Sequence, residues 1–243
     1  FIKIIAAINK KPQILKYREN EGLNERIPQY KVKMGFGLHI GWAIEGAIGS
    51  IFKIDASYLS PNVNMAARLE AATKQYGVPL LISSDLHSKF SKRIRNLCRE
   101  IDRVTVKGSV KPIGLFTFDS DISQINPSQE NYSSKKENAL KHKLKKAAIF
   151  ERFINGFEKS NSLLDTDKDL GLLSKACTTP VVNAFREVFS TYIQGDWPSC
   201  KKGLEDCLNL NPIDGPTNAL YNVIKGSQFM APGNWKGYRE LTE

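Results

Sequence analysis

The chain has 243 residues, 41% hydrophobic and 25% charged, a balance that fits one or two globular domains and excludes a disordered tail, a collagen-like repeat or an extended coiled coil. The 35 Lys and Arg outnumber the 25 Asp and Glu, leaving a formal charge of +10. Half of that surplus sits in residues 135–146, with six lysines and one glutamate, so no basic groove along the whole molecule is expected, and no aromatic-basic platform for nucleic acid accompanies the lysines.

The chain starts at Phe1, without methionine, inside the apolar run of residues 1–8. That reads as a helix already under way, and hence as a piece of a longer protein. No signal-peptide pattern is present. Residues 1–16 suggest one helix. After a polar connection, residues 31–40 alternate as a strand, with residues 42–48 as its hairpin partner or continuation. Residues 34–52 are apolar and long enough for a membrane span, but Gly35, Gly37, Gly41, Gly46 and Gly49 suit strand turns better than a lipid-facing helix.

Ser60-Pro61 predicts a helix start, with a side-chain acceptor for the cap and a preset φ at the first helical residue. Gly77 and Pro79 end that helix. Residues 80–82, 101–106 and 113–118 read as strands and 85–90 as a short helix. This order lacks regular βαβ repetition and favours α+β. Residues 119–134 are rich in Ser, Asn, Gln and Asp and run into the lysine stretch, so a linker is placed there. From residue 147 the pattern is helical, with breaks at 165–169 and 194–198.

The helix at Ser60 stacks Asn64 and Arg68 one turn apart on one face. An amide can hold a ribose oxygen, and a guanidinium can neutralise charge developing on a phosphate. Taken alone, such a pair is more often a solvated helix face. Its surroundings change the balance. Residues 37–41 (Gly-Leu-His-Ile-Gly), 46–50 (Gly-Ala-Ile-Gly-Ser), Asp55, 63–70 (Val-Asn-Met-Ala-Ala-Arg-Leu-Glu), 77–83 (Gly-Val-Pro-Leu-Leu-Ile-Ser), 106–108 (Val-Lys-Gly) and Pro112 follow an order and spacing that resemble the C-terminal half of class III adenylate/guanylate cyclase catalytic domains. The match covers residues 1–118.

The resemblance implies a ferredoxin-like α+β half-domain with a mostly antiparallel sheet over residues 1–119. A linker at 120–146 and an all-α tail at 147–243 follow. It implies a head-to-tail dimer with a second cyclase domain and conversion of ATP, in preference to GTP, to 3′,5′-cyclic nucleotide and pyrophosphate. By motif match Asn64 orients the ribose, Arg68 stabilises charge on the α-phosphate, Lys107 holds the terminal phosphates and Ser57 contacts the purine edge. Ser57 can donate or accept, where an aspartate only accepts, which weakens base preference.

The reaction uses two divalent ions, Mg2+ or Mn2+. Their ligands are expected outside this sequence, because the first hundred residues hold only Asp55 and Asp85 as aspartates. Ser60 replaces the family's usual glycine and reads as an alternative helix start. The tail, with Tyr192, Gly195-Asp196-Trp197, Leu204, Leu208, Pro212 and Asp214-Gly215-Pro216, resembles a tetratricopeptide-type helix pair ending near Trp235. One pair cannot bury both faces, so it should pack on the cyclase half or on a protein partner.

Other features read plainly. Asp165, Asp167 and Asp169 have calcium-loop spacing, but Leu170 and Ala176 stand where the loop needs glycine and a bidentate glutamate, so they mark a helix boundary. His39 has no second His or Cys nearby and reads as a satisfied strand histidine. Cys98, Cys177, Cys200 and Cys207 form no C-x-x-C pair and are read as reduced thiols. The expected setting is the cytosol or the cytosolic face of a membrane, with any tether in a segment outside the sequence. The competing reading is a cyclase-derived domain that no longer turns over and serves as a scaffold or interaction subunit.

Overall fold

The computed structural model describes residues 1–106, 111–127 and 160–241, with 140, 143, 144, 146–148, 150, 151 and 154. In chain order its elements begin with α1 (Ile2–Lys10), α2 (Pro12–Leu15), α3 (Glu21–Arg26), β1 (Phe36–Leu38), β2 (Ile44–Ser50), β3 (Lys53–Leu59) and α4 (Pro61–Tyr76). Then come β4 (Leu80–Ser83), α5 (Ser84–His87), α6 (Lys92–Leu97), β5 (Cys98–Thr105) and β6 (Ile113–Phe118). They end with α7 (Ser160–Thr166), α8 (Lys168–Ser174), α9 (Pro180–Gln194), α10 (Trp197–Leu210), α11 (Gly215–Gly226) and β7 (Arg239–Glu240). The chain divides into two compact units, Phe1–Lys33 with Ser120–Lys175, and Met34–Asp119 with Ala176–Glu243.

In the first unit the single helix expected over residues 1–16 is broken. Lys11 is extended and Pro12 opens α2, since a proline nitrogen has no hydrogen to give the preceding turn. Asp167 separates α7 from α8 and caps α8 by accepting from the Asp169 and Leu170 amides. The aspartate cluster is thus the helix boundary read from the sequence, with Lys3 paired to Asp167 and Lys10 to Asp169. Ala6, Ile125 and Leu173 form a small core.

The second unit is α+β. Its five-stranded sheet has the order β1-β4-β6-β5-β7 and is mixed: β1 with β4 and β5 with β7 are parallel, β4 with β6 and β5 with β6 antiparallel. The expected return of residues 42–48 onto the preceding strand does not occur. β2 pairs with β3 in a separate two-stranded sheet, Ile44 opposite Leu59 through Ser50 opposite Lys53. β1 instead takes β4, whose four residues are all buried, as suits a strand covered on both faces. Residues 34–52 therefore hold β1 and β2. Among the described residues no helix is long and apolar enough to cross a membrane.

Helices α9 to α11 pack into the same core as the sheet. Leu69 and Ala72 of α4, Leu81, Ile101 and Leu115 of the sheet, and Phe185, Leu204 and Ile224 of the later helices form one cluster. Each Leu, Ile or Phe among them, fully buried, contributes roughly 1.5–3 kcal/mol of transfer free energy. Tyr192, Trp197 and Trp235 make a mutual aromatic cluster with centroids 5.1–5.8 Å apart, within the range of favourable edge and offset geometries.

Candidate functional site

Helix α4 carries Asn64 and Arg68, and both of its ends are fastened. At the N-terminus Ser60 is the cap, its Oγ accepting from the Asn62 amide at 3.0 Å and donating to the Trp42 carbonyl at 2.6 Å. Asn62 Nδ2 donates to the same carbonyl at 2.8 Å, which fixes the amide orientation and leaves Asn62 Oδ1 as an acceptor. His39 Nε2 lies 3.1 Å from that oxygen and Nδ1 lies 2.8 Å from Ser83 Oγ. A neutral imidazole protonated on Nε2 satisfies both contacts, donating to Asn62 and accepting from Ser83. His39, one residue past β1 rather than within a strand as expected, is therefore satisfied on both nitrogens, and the relay ties the end of β4 to the first turn of α4.

Gly37 explains how closely β1 and α4 approach. A Cβ there would lie 2.2 Å from the Ala66 carbonyl oxygen and 2.4 Å from the Glu70 nitrogen, so no side chain fits. At the far end Gly77 closes the helix in the left-handed region, φ 62°, where glycine carries no Cβ penalty.

Asn64 is exposed and Arg68 half-buried, one turn apart on α4. Ser57 is the half-buried residue of β3, opposite Gly46 of β2 and three positions before the helix cap. Lys107 lies outside the described residues, as does the lysine run apart from Lys143 and Lys146. The β2–β3 hairpin is otherwise exposed on both faces, with Ile51 and Phe52 at its tip 98% and 96% accessible.

The acidic residues near α4 do not make a metal site. Asp55 is exposed and paired with Lys53 at 3.0 Å, Glu45 accepts from the Tyr58 hydroxyl at 3.1 Å, and Asp85 is exposed on α5. Among the described residues no group of three His, Cys, Asp or Glu side chains comes together to hold a cation. The donors among the described residues therefore do not fit the Mg2+ or Mn2+ that cyclase chemistry implies.

Two buried polar clusters were not foreseen. Arg99, 1% exposed, grips Asp214 bidentately at 3.0 and 3.1 Å and reaches Asp119 at 2.5 Å, with its guanidinium 4.9 Å from the Phe185 ring centroid. Burial raises the Asp119 carboxyl, against the opposing charge of Arg99. At Asp214 burial also raises, but the Arg99 hydrogen bonds prevail and hold it below the usual carboxylate range.

Asp102, fully buried, accepts from Tyr76 (2.7 Å), Arg239 (2.8 Å), the Arg103 amide (2.8 Å) and Tyr192 (3.4 Å). Burial pushes its carboxyl up, with Arg239 and Tyr76 opposing. Strand β5 reads Cys-Arg-Glu-Ile-Asp-Arg-Val-Thr, and with four charges in eight residues the sequence does not single out Arg99 and Asp102 as the buried ones.

No family model matches the chain. An adenylate cyclase from Anabaena cylindrica is 33% identical over 87 residues, 35% of this chain and 17% of its own length. Adenylate cyclase 1 of Rhizobium meliloti (strain 1021) is 22% identical over 103 residues, 42% of this chain and 15% of its own length. The chain thus spans less than a fifth of the curated relatives it matches. Part of it is similar in sequence to adenylate cyclases.

Proposed function

We propose that this chain supplies one half of a nucleotide cyclase site, acting on ATP in preference to GTP and releasing 3′,5′-cyclic nucleotide and pyrophosphate. The observation that carries the reading is the position of Asn64 and Arg68 on the outward part of a helix capped at both ends, in a chain partly similar to two adenylate cyclases.

In this reading the Asn64 amide orients the ribose and the Arg68 guanidinium meets charge developing on the α-phosphate. Ser57 faces the purine edge and Lys107 takes the terminal phosphates. A second cyclase domain, docked head to tail, completes the site and brings the ligands for Mg2+ or Mn2+. The fixed cap, relay and β1 contact make α4 a preorganised platform, which is what electrostatic stabilisation requires.

The test is Arg68→Ala in the full-length protein. Turnover falls by about two orders of magnitude, as loss of one transition-state donor does elsewhere. Unchanged cyclic-nucleotide output would refute the role of Arg68.

A second reading, an inactive cyclase-like scaffold whose helical tail engages a protein, draws on the missing acidic cluster among the described residues and the open apolar hairpin. Wild-type protein that binds partners but forms no cyclic nucleotide with Mg2+ or Mn2+ supplied would favour it.

A further inference from the structure

Beside the apolar core that α4 shares with the C-terminal helices, polar groups gather at its last turn. The Tyr76 hydroxyl, in the last turn of α4, donates to Asp102 Oδ2 at 2.7 Å and accepts from Arg239 Nη2 at 3.0 Å. Arg239, on β7, also donates from Nε to the same Asp102 oxygen at 2.8 Å, and Tyr192 of α9 reaches Asp102 Oδ1 at 3.4 Å. Beside them the backbones meet: a Cβ on Gly215, at the start of α11, would lie 2.3 Å from the Tyr76 carbonyl oxygen and 2.9 Å from Gly77 Cα. Tyr76, Asp102 and Tyr192 are buried, and Arg239 and Gly215 half-buried.

We propose that Tyr76, Asp102 and Arg239 form a clamp by which the C-terminal segment sets the position of α4, making Tyr76 and Arg239 positioning residues for the Asn64–Arg68 pair. The catalytic part of this proposal rests on the cyclase reading above; the clamp itself does not. A helix transmits a displacement along its axis. Arg68 lies eight residues from Tyr76, roughly 12 Å at 1.5 Å per residue, on a rod whose outer half faces solvent. Misplacement by about 1 Å at a reacting group is enough to slow chemistry strongly, so the clamp acts on turnover more than on nucleotide affinity.

The experiment uses the full-length protein with Tyr76→Phe, Arg239→Ala and Arg239→Lys, read by amide hydrogen exchange and by steady-state kinetics with ATP. Tyr76→Phe removes one hydroxyl and keeps the Asp102–Arg239 pair, so it serves if Arg239→Ala fails to fold. In Tyr76→Phe and Arg239→Ala the amides of residues 69–76 exchange about tenfold faster while those of β6 are unchanged. In both, kcat falls about tenfold with KM within about twofold, and Arg239→Lys recovers most of the loss.

Unaltered exchange in α4 overturns the clamp. Loss of activity that merely tracks the fraction folded, or that falls on KM, overturns the positioning role. Wild-type protein forming no cyclic nucleotide overturns the cyclase reading and the positioning role with it, while the exchange data still decide the clamp.

Discussion

The two ends of α4 are held by opposite means. Its first turn is fixed by side-chain hydrogen bonds of 2.6–3.1 Å among half-buried Ser60, Asn62 and His39 and buried Ser83. Its last turn is fixed by charges taken out of water, Asp102 and Arg239 around the Tyr76 hydroxyl, with the Arg99–Asp214 pair at the start of the neighbouring α11. Neutral contacts at an accessible surface are individually modest. A buried ion pair is weak evidence of net stability, yet breaking it is expensive because the survivor stays desolvated and alone. The buried end should therefore be far more sensitive to substitution, and the accessible end is where a ligand can approach.

The largest effect on stability is expected from Asp214→Ala, which strands part of Arg99 and removes the cap of α11. Denaturant unfolding should show a loss of about 3–5 kcal/mol. The difference from wild type should also depend on pH. Arg99 holds the Asp214 carboxyl low, so its contribution is complete above the unfolded carboxylate value, about 3.9, and is lost as pH falls through the lower folded value. The gap between Asp214→Asn and wild type should accordingly narrow below about pH 4. A gap that widens there would mean that Arg99 does not stabilise the ionised form.

Next is Gly37→Ala. Its methyl group would collide with α4 backbone rather than with a pliable side chain, so β1 and α4 must separate at a cost of about 1–3 kcal/mol. The urea midpoint measures this, and a neutral substitution would show that β1 and α4 are not closely packed. The smallest is Ser60→Ala, which removes one cap acceptor and its bond to Trp42 for about 1 kcal/mol. A loss as large as that of Asp214→Ala would erase the contrast between the two ends.

Local chemistry was legible in the sequence. Ser60-Pro61 and Gly77 bound α4 to within a residue, Asp167 marked the break before α8, and the order of patterns gave α+β. Pro12 was equally visible, and it, not the apolar run around it, decides where α1 ends. Pairing between distant segments was not legible. Alternation in residues 42–48 predicts a strand but not its partner, and β3 won because a two-residue turn at Ile51-Phe52 brings it alongside.

The buried charges follow the same rule. The ladder between β5 and β6 shifts register between Glu100 and Asp102, so Ile101 and Asp102 are both buried although adjacent in a strand. A bulge breaks the period of two. Asp102 also has partners from residue 76 and residue 239, which no window on the sequence joins. Of the proposed site, Asn64 and Arg68 were legible because four residues make one turn. Asn62 was not, because its partner His39 lies 23 positions away.

The central claim is that the outer half of α4 meets a nucleotide. Hydrogen exchange on the full-length protein, with and without α,β-methylene-ATP and Mg2+, tests it most directly. The account predicts slowed exchange over residues 57–68 on addition of the nucleotide, abolished by Arg68→Ala. Nucleotide binding that leaves this segment unchanged, with protection appearing elsewhere, would contradict it.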